Sequence, residues 1–134
     1  MPGPDNGSVV VSSSTSNSFI FKTIHEPKYG DHPVSGNREF GFIANPNGSI
    51  YLYSRVIDRL TTFEASFFQN TTGIPFRSSD ILWGTFQGEI ANFVNAHGGS
   101  AFADEEQILR PIWTDVLAVL NGSKPLSTIA KDCP

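Results

Sequence analysis

Apolar positions along this chain change period more than once, and each change predicts an element. Phe19, Ile20, Phe21 and Ile24 form a short β-prone run around Lys22 and Thr23 that closes where Pro27 removes a ladder donor. Glu39 to Ala44 and Ser49 to Val56 flank Asn45-Pro46-Asn47-Gly48, where Asn-Gly supplies the positive φ of a tight turn, so a hairpin over about 39–56 is predicted. After Val56 the spacing becomes helical: Leu60, Phe63, Phe67 and Phe68 recur at three to four, Asp58 serves as a cap, and Asn70 to Gly73 ends the run. A second helix is predicted from Ser79 or Asp80 to His97, with Leu82, Phe86, Ile90, Phe93 and Val94 on one stripe and Gly98-Gly99 as the stop. A third runs from Asp104, with Gln107 completing a capping box, through Ile112, Trp113, Val116, Leu117 and Leu120 to Gly122, and Pro111 kinks or restarts it.

The order β, loop, ββ, ααα is that of an α+β fold, a small antiparallel sheet with a central hairpin packed by three C-terminal helices. Counting outward from a two- or four-residue turn pairs even positions with odd ones. Phe40, Phe42, Tyr51 and Tyr53 then share one face with Arg38 and Arg55, and Glu39, Gly41, Ile43, Ile50, Leu52 and Val56 share the other.

Composition narrows this picture. A chain of 134 residues with 39% hydrophobic content suits one domain, placed at 18–134, and eleven Phe and two Trp make its core aromatic. Residues 1–17 are Gly, Pro, Ser, Thr and Asn around Val9-Val10-Val11, a flexible leader or linker holding at most one edge strand. They lack the basic and apolar regions of a signal peptide, so synthesis in the cytoplasm is expected, with any export left to a specialised secretion or injection system. The net charge of −4 arises mainly over 78–134, where three Lys/Arg face seven Asp/Glu, and this disfavours nucleic acid as a partner. One cysteine, Cys133, excludes an intrachain disulfide framework.

Candidate chemistry gathers between His25 and Arg38, a connection with little apolar periodicity that holds two of the three histidines. An imidazole is the side chain suited to proton transfer near neutral pH, and His32 is the candidate general acid or base, with Glu39 orienting it or sharing its proton. Arg38 and Arg55, expected to meet at one end of the hairpin, would hold an anionic group or developing negative charge. His25, Tyr51, Tyr53 and Arg59 are the candidate substrate-binding residues beside them. The competing reading is a surface loop stiffened by Pro27, Gly30, Pro33 and Gly36, with the arginines paired to Asp58 or directed to solvent. His25, His32 and a carboxylate match no zinc spacing, and neither a metal nor another cofactor is expected.

The stretch HPVSGNREFGF (32–42) followed by IYLYSRVIDRL (50–60) resembles small bacterial modules that serve as effectors of polymorphic-toxin and contractile-injection systems. That resemblance implies an exported effector or toxin-like domain whose partners are delivery machinery or an immunity protein. If catalytic, it would be a metal-independent hydrolase or phosphodiester-directed enzyme with its site in the 25–39 loop. The alternative is a non-catalytic binding or structural cargo module of such an assembly.

Overall fold

The computed structural model describes residues 7–61 and 74–130. Contacts divide the chain at Asp80/Ile81 into two compact units, the first carrying the sheet and the second mostly helical. Among the described residues the architecture is α+β, and no helix is long and apolar enough to cross a membrane.

The sheet has four antiparallel strands in sequence order: β1 (Ser8–Ser14), β2 (Ser18–Ile24), β3 (Val34–Ala44) and β4 (Ile50–Leu60). β1 comes from the segment read as a leader: the three-valine run supplies the β propensity, and the serines on either side extend it. Thr15 caps the β1–β2 turn, its hydroxyl accepting from the amides of Asn17 and Ser18 at 3.2 and 3.0 Å. β3 starts earlier than the hydrophobic pattern implies, so Val34 to Arg38, expected in a loop, lie in a strand. Small and polar side chains hide this stretch from a periodicity argument.

The hairpin is present, but its parity differs from expectation. Asn45 N donates to Ser49 O at 2.9 Å, Gly48 N donates to Asn45 O at 3.0 Å, and Gly48 has φ +85°. Pro46-Asn47-Gly48 thus forms a three-residue loop with glycine in the left-handed position, which pairs even positions with even ones. Phe42 faces Leu52, Phe40 faces Ser54, Glu39 faces Arg55 and Arg38 faces Val56. With β2 and β1 in register, one face carries Val9, Val11, Phe19, Phe21, Phe40, Phe42, Leu52 and Val56, together with Arg38. The other carries Val10, Ile20, Glu39, Ile43, Tyr51, Tyr53, Arg55 and Ile57. Arg38 and Arg55 therefore occupy opposite faces and do not meet.

On the first face Phe19, Phe21 and Phe40 form a ring cluster, with centroids 5.1 to 6.0 Å apart, Phe21 edge-on to the other two and Phe19 stacked on Phe40. No described residue is fully buried.

Two α-helices are described rather than three: α1 (Ile74–Ala96) and α2 (Trp113–Leu120). Asp58 and Leu60, assigned to a first helix, belong to β4, while Phe63, Phe67 and Phe68 lie outside the described residues. α1 begins several residues before the predicted Ser79, and Pro75 near its start suits the first turn, where no amide partner is lost. It ends as expected, with Gly98 at φ +85° and Gly99 N donating to Val94 O at 3.0 Å.

Asn95 then pins the returning chain, exchanging hydrogen bonds with both backbone groups of Ala101 at 2.9 and 2.7 Å. Glu106 passes so close to Gly84 that a Cβ there would lie 2.7 Å from its carboxylate. The predicted helix start at Asp104 is absent: Asp104 accepts from the next amide, and residues 101–112 are irregular. Pro111 has no amide proton and would clash with the carbonyl four residues back, so helix begins only after it, from an extended Ile112 at φ −73°, ψ 144°.

Candidate functional site

The candidate residues fall into three places. The first is the end of the sheet where β2 and β3 separate. Regular pairing stops at Lys22–Asn37, and the Thr23 hydroxyl takes over the ladder, accepting from Gly36 N at 3.0 Å and donating to Gly36 O at 3.3 Å. Beyond it the chain makes a tight turn, with Glu26 N donating to Gly30 O at 3.0 Å, Gly30 N donating to Glu26 O at 2.6 Å, and Gly30 at φ +78°. Thr61, just past β4, ties this loop down by donating its hydroxyl to the carbonyls of His32 and Pro33, each at 2.9 Å.

The splayed end encloses a hollow of about 80 Å³ lined by Thr23, Ile24, His25, Asp31, His32, Val34, Ser35 and Thr61. His25 Nδ1 and Asp31 Oδ1 lie 2.9 Å apart, both well exposed at 64% and 74%. An ion pair so solvated contributes little to stability. His32 is half-buried, and its Nδ1 sits 2.9 Å from the Val34 carbonyl and 3.2 Å from the Val34 amide. Either tautomer is thus satisfied by the backbone two residues on, leaving Nε2 as the ring nitrogen able to meet another group. The chain entering β1 crosses this ring, for a Cβ on Gly7 would lie 2.9 Å from His32 Cγ and Nε2. Among the described residues no group of three His, Cys, Asp or Glu is arranged to hold a metal ion.

The second place is the face carrying Glu39. Arg55 Nε donates to Glu39 Oε2 at 2.7 Å and Tyr53 Oη donates to Oε1 at 2.9 Å, while the Arg55 guanidinium lies 5.1 Å from the centre of the Tyr53 ring. Both carboxylate oxygens are therefore occupied. The Arg55 bond, then the Tyr53 bond, holds the Glu39 carboxyl below the usual carboxylate range, and the same carboxylate raises the Tyr53 phenol and the Arg55 guanidinium. Tyr51 and Arg59 lie in the same row at exposed positions.

The third place is the aromatic face, where Arg38 is half-buried and donates to Ser54 Oγ at 3.0 Å. Burial pushes its guanidinium down, opposed by the nearby Asp58 carboxylate.

The structure thus joins Glu39, Tyr53 and Arg55, leaves Arg38 on the opposite face, and places His25 and His32 at the open end. His32 and Glu39 are not bonded partners: Glu39 is engaged by Arg55 and Tyr53, and His32 by Val34. Sequence reasoning missed Thr23 and Thr61, which build the hollow, and Ser54, which holds Arg38. Nothing local marks these three hydroxyls, because each matters only through a register that the turn decides. Chemically, a carboxylate stabilised as its anion is a weak proton acceptor, and the geometry fits a three-residue clamp across β3 and β4 better than an acid-base pair. Comparison of the chain with protein-family models, with curated proteins and with solved structures finds no match.

Proposed function

We propose that this chain is a non-catalytic binding or structural module that works by presenting its sheet to a partner. In the setting suggested by residues 32–42 and 50–60, it would be a cargo component of a secretion or injection assembly, and its partner the delivery machinery. The observation that carries this reading is the open apolar face: Phe42 is 37% exposed and Leu52, directly opposite it, 54%, with Val56 47% exposed further along the same face of β4. Soluble monomers rarely leave a contiguous apolar patch of this kind uncovered, and such patches mark contact surfaces.

The competing reading is an effector enzyme, hydrolytic or phosphodiester-directed, opposed by an immunity protein. It retains one supporting observation, that His25, Asp31 and His32 line a common hollow. The size of that hollow counts against it, since about 80 Å³ is far below the roughly 300–1,000 Å³ of small-molecule sites.

Two measurements decide between them. Wild-type protein should enhance the fluorescence of an apolar-surface dye, and Leu52→Asp should abolish the enhancement while circular dichroism stays unchanged. Expression of the wild type in either compartment of a bacterial host should leave growth unaffected. Growth arrest that a folded His32→Ala variant relieves would establish the catalytic reading instead.

A further inference from the structure

Among the described residues the sheet ends in β1 on one side and β4 on the other, and these edges differ in a way that selects one of them for assembly. An edge strand offers unpaired amides and carbonyls to any passing strand, and soluble proteins blunt such edges with charges, proline or bulges. β4 is blunted: Arg55, Asp58 and Arg59 stand along it. β1 has neither of the first two, for Ser8–Ser14 reads SVVVSSS, with no charge and no proline. Its one irregularity is the register shift between Val11 and Ser13, which leaves Ser8 to Val11 as a regular stretch. Val9, Val10 and Val11 are 49%, 46% and 52% exposed, so both faces of that stretch are about half open.

We propose that β1 pairs antiparallel with β1 of a second copy of this chain, about a two-fold axis perpendicular to the sheet near Val10. This rests on the reading of the sheet as a contact surface and names one partner for it. Three features favour a second copy over a foreign strand.

The stretch is uncharged, so two copies meet without repulsion although the chain as a whole carries a net charge of −4. β-branched residues set opposite each other across antiparallel strands form favourable pairs, and centring on Val10 sets Val9 against Val11 in both directions. Symmetry supplies the third. A two-fold axis normal to the sheet returns each residue to its own face, so odd positions of β1 can only meet odd ones. Val9 and Val11 lie on the same face as Phe21 and Phe40, and the two apolar faces then become one surface of twice the width. A foreign strand would need side-chain pockets for specificity. The serines and valines of β1 offer only backbone and self-matched side chains.

The full chain is examined by sedimentation equilibrium from micromolar to millimolar concentration, with amide hydrogen exchange followed in parallel. Wild-type protein should sediment as a dimer, and β1 amides should gain protection as concentration rises while the outer amides of β4 do not. Val10→Lys sets two ammonium groups against each other at the axis and should give a monomer, whereas Ile57→Lys on β4 should remain dimeric. A wild type that stays monomeric throughout, or β1 exchange independent of concentration, overturns the proposal. The exchange measurement needs no variant and holds even if Val10→Lys fails to fold. Dye binding at Leu52 is read separately, so loss of the dimer with the apolar face still open overturns this pairing and leaves the sheet-presenting reading intact.

Discussion

Phe40→Ala is the sharpest test of how the sheet is held together, because Phe40 is the ring shared by both cross-strand contacts to β2. Its centroid lies 5.5 Å from that of Phe19 and 6.0 Å from that of Phe21. Truncating a fully buried phenylalanine costs about 3–5 kcal/mol. Phe40 is only partly covered, so the transfer part shrinks to about half, but two ring contacts worth about 0.5–1.5 kcal/mol each are lost with it. A destabilisation of about 2.5–5.5 kcal/mol follows, a fall in Tm of roughly 10–45 °C for a unit of this size. Phe42 is the control, two residues on in the same strand and on the same face but 37% exposed, and Phe42→Ala should cost about 1 kcal/mol. Urea denaturation followed by far-ultraviolet circular dichroism, at a concentration where sedimentation shows a single species, measures both. If Phe42→Ala costs as much as Phe40→Ala, the ring cluster is not the anchor of the sheet, and the open end of the face is covered in solution.

Glu39 links stability to pH. Its folded pKa lies below the ordinary value, so the stabilisation it brings is fully present above about pH 4.3 and is lost as pH falls through the lower folded value. Glu39→Gln should flatten the acid limb of a Tm–pH profile, and an acid limb identical to wild type would show that the Arg55 and Tyr53 bonds do not persist in solution. Gly36→Ala should cost about 1–3 kcal/mol or prevent folding, because a Cβ there would lie 2.5 Å from Asp58 Cβ and 2.6 Å from its Cα, where backbone must move; an unchanged denaturation midpoint would mean that β3 and β4 do not approach so closely.

The elements of this fold were legible wherever a periodic apolar run met a distinct stop. Gly98-Gly99 closed α1 where expected, and Asn47-Gly48 marked the hairpin. Legibility failed where small or polar residues form strand, as in Ser12 to Ser14 and Ser35 to Asn37, whose pairing is dictated by neighbours rather than by their own pattern. It failed again where one period imitated another. Val56, Asp58 and Leu60 read equally as the end of a strand or the start of a helix, and pairing with Arg38, Gly36 and Val34 decided for strand. Pro111 marks a break in the sequence, but the capping pattern at Asp104 and Gln107 stabilises a helix only if helical residues follow it, and none do.

The candidate site turned on a single turn residue. With a two- or four-residue loop, Arg38 and Arg55 would share a face and could have gripped one anion. Gly48 in the left-handed conformation adds a residue to the loop and moves every β4 side chain to the other face relative to β3. Arg55 then falls opposite Glu39, and two residues chosen as catalytic become an ion pair that satisfies itself. The same shift brings Phe42 opposite Leu52 and Arg38 opposite Val56, so that aromatic and aliphatic side chains expected on separate faces merge into one apolar row. One parity change therefore separates Arg38 from Arg55, pairs Arg55 with Glu39 and sets Phe42 beside Leu52.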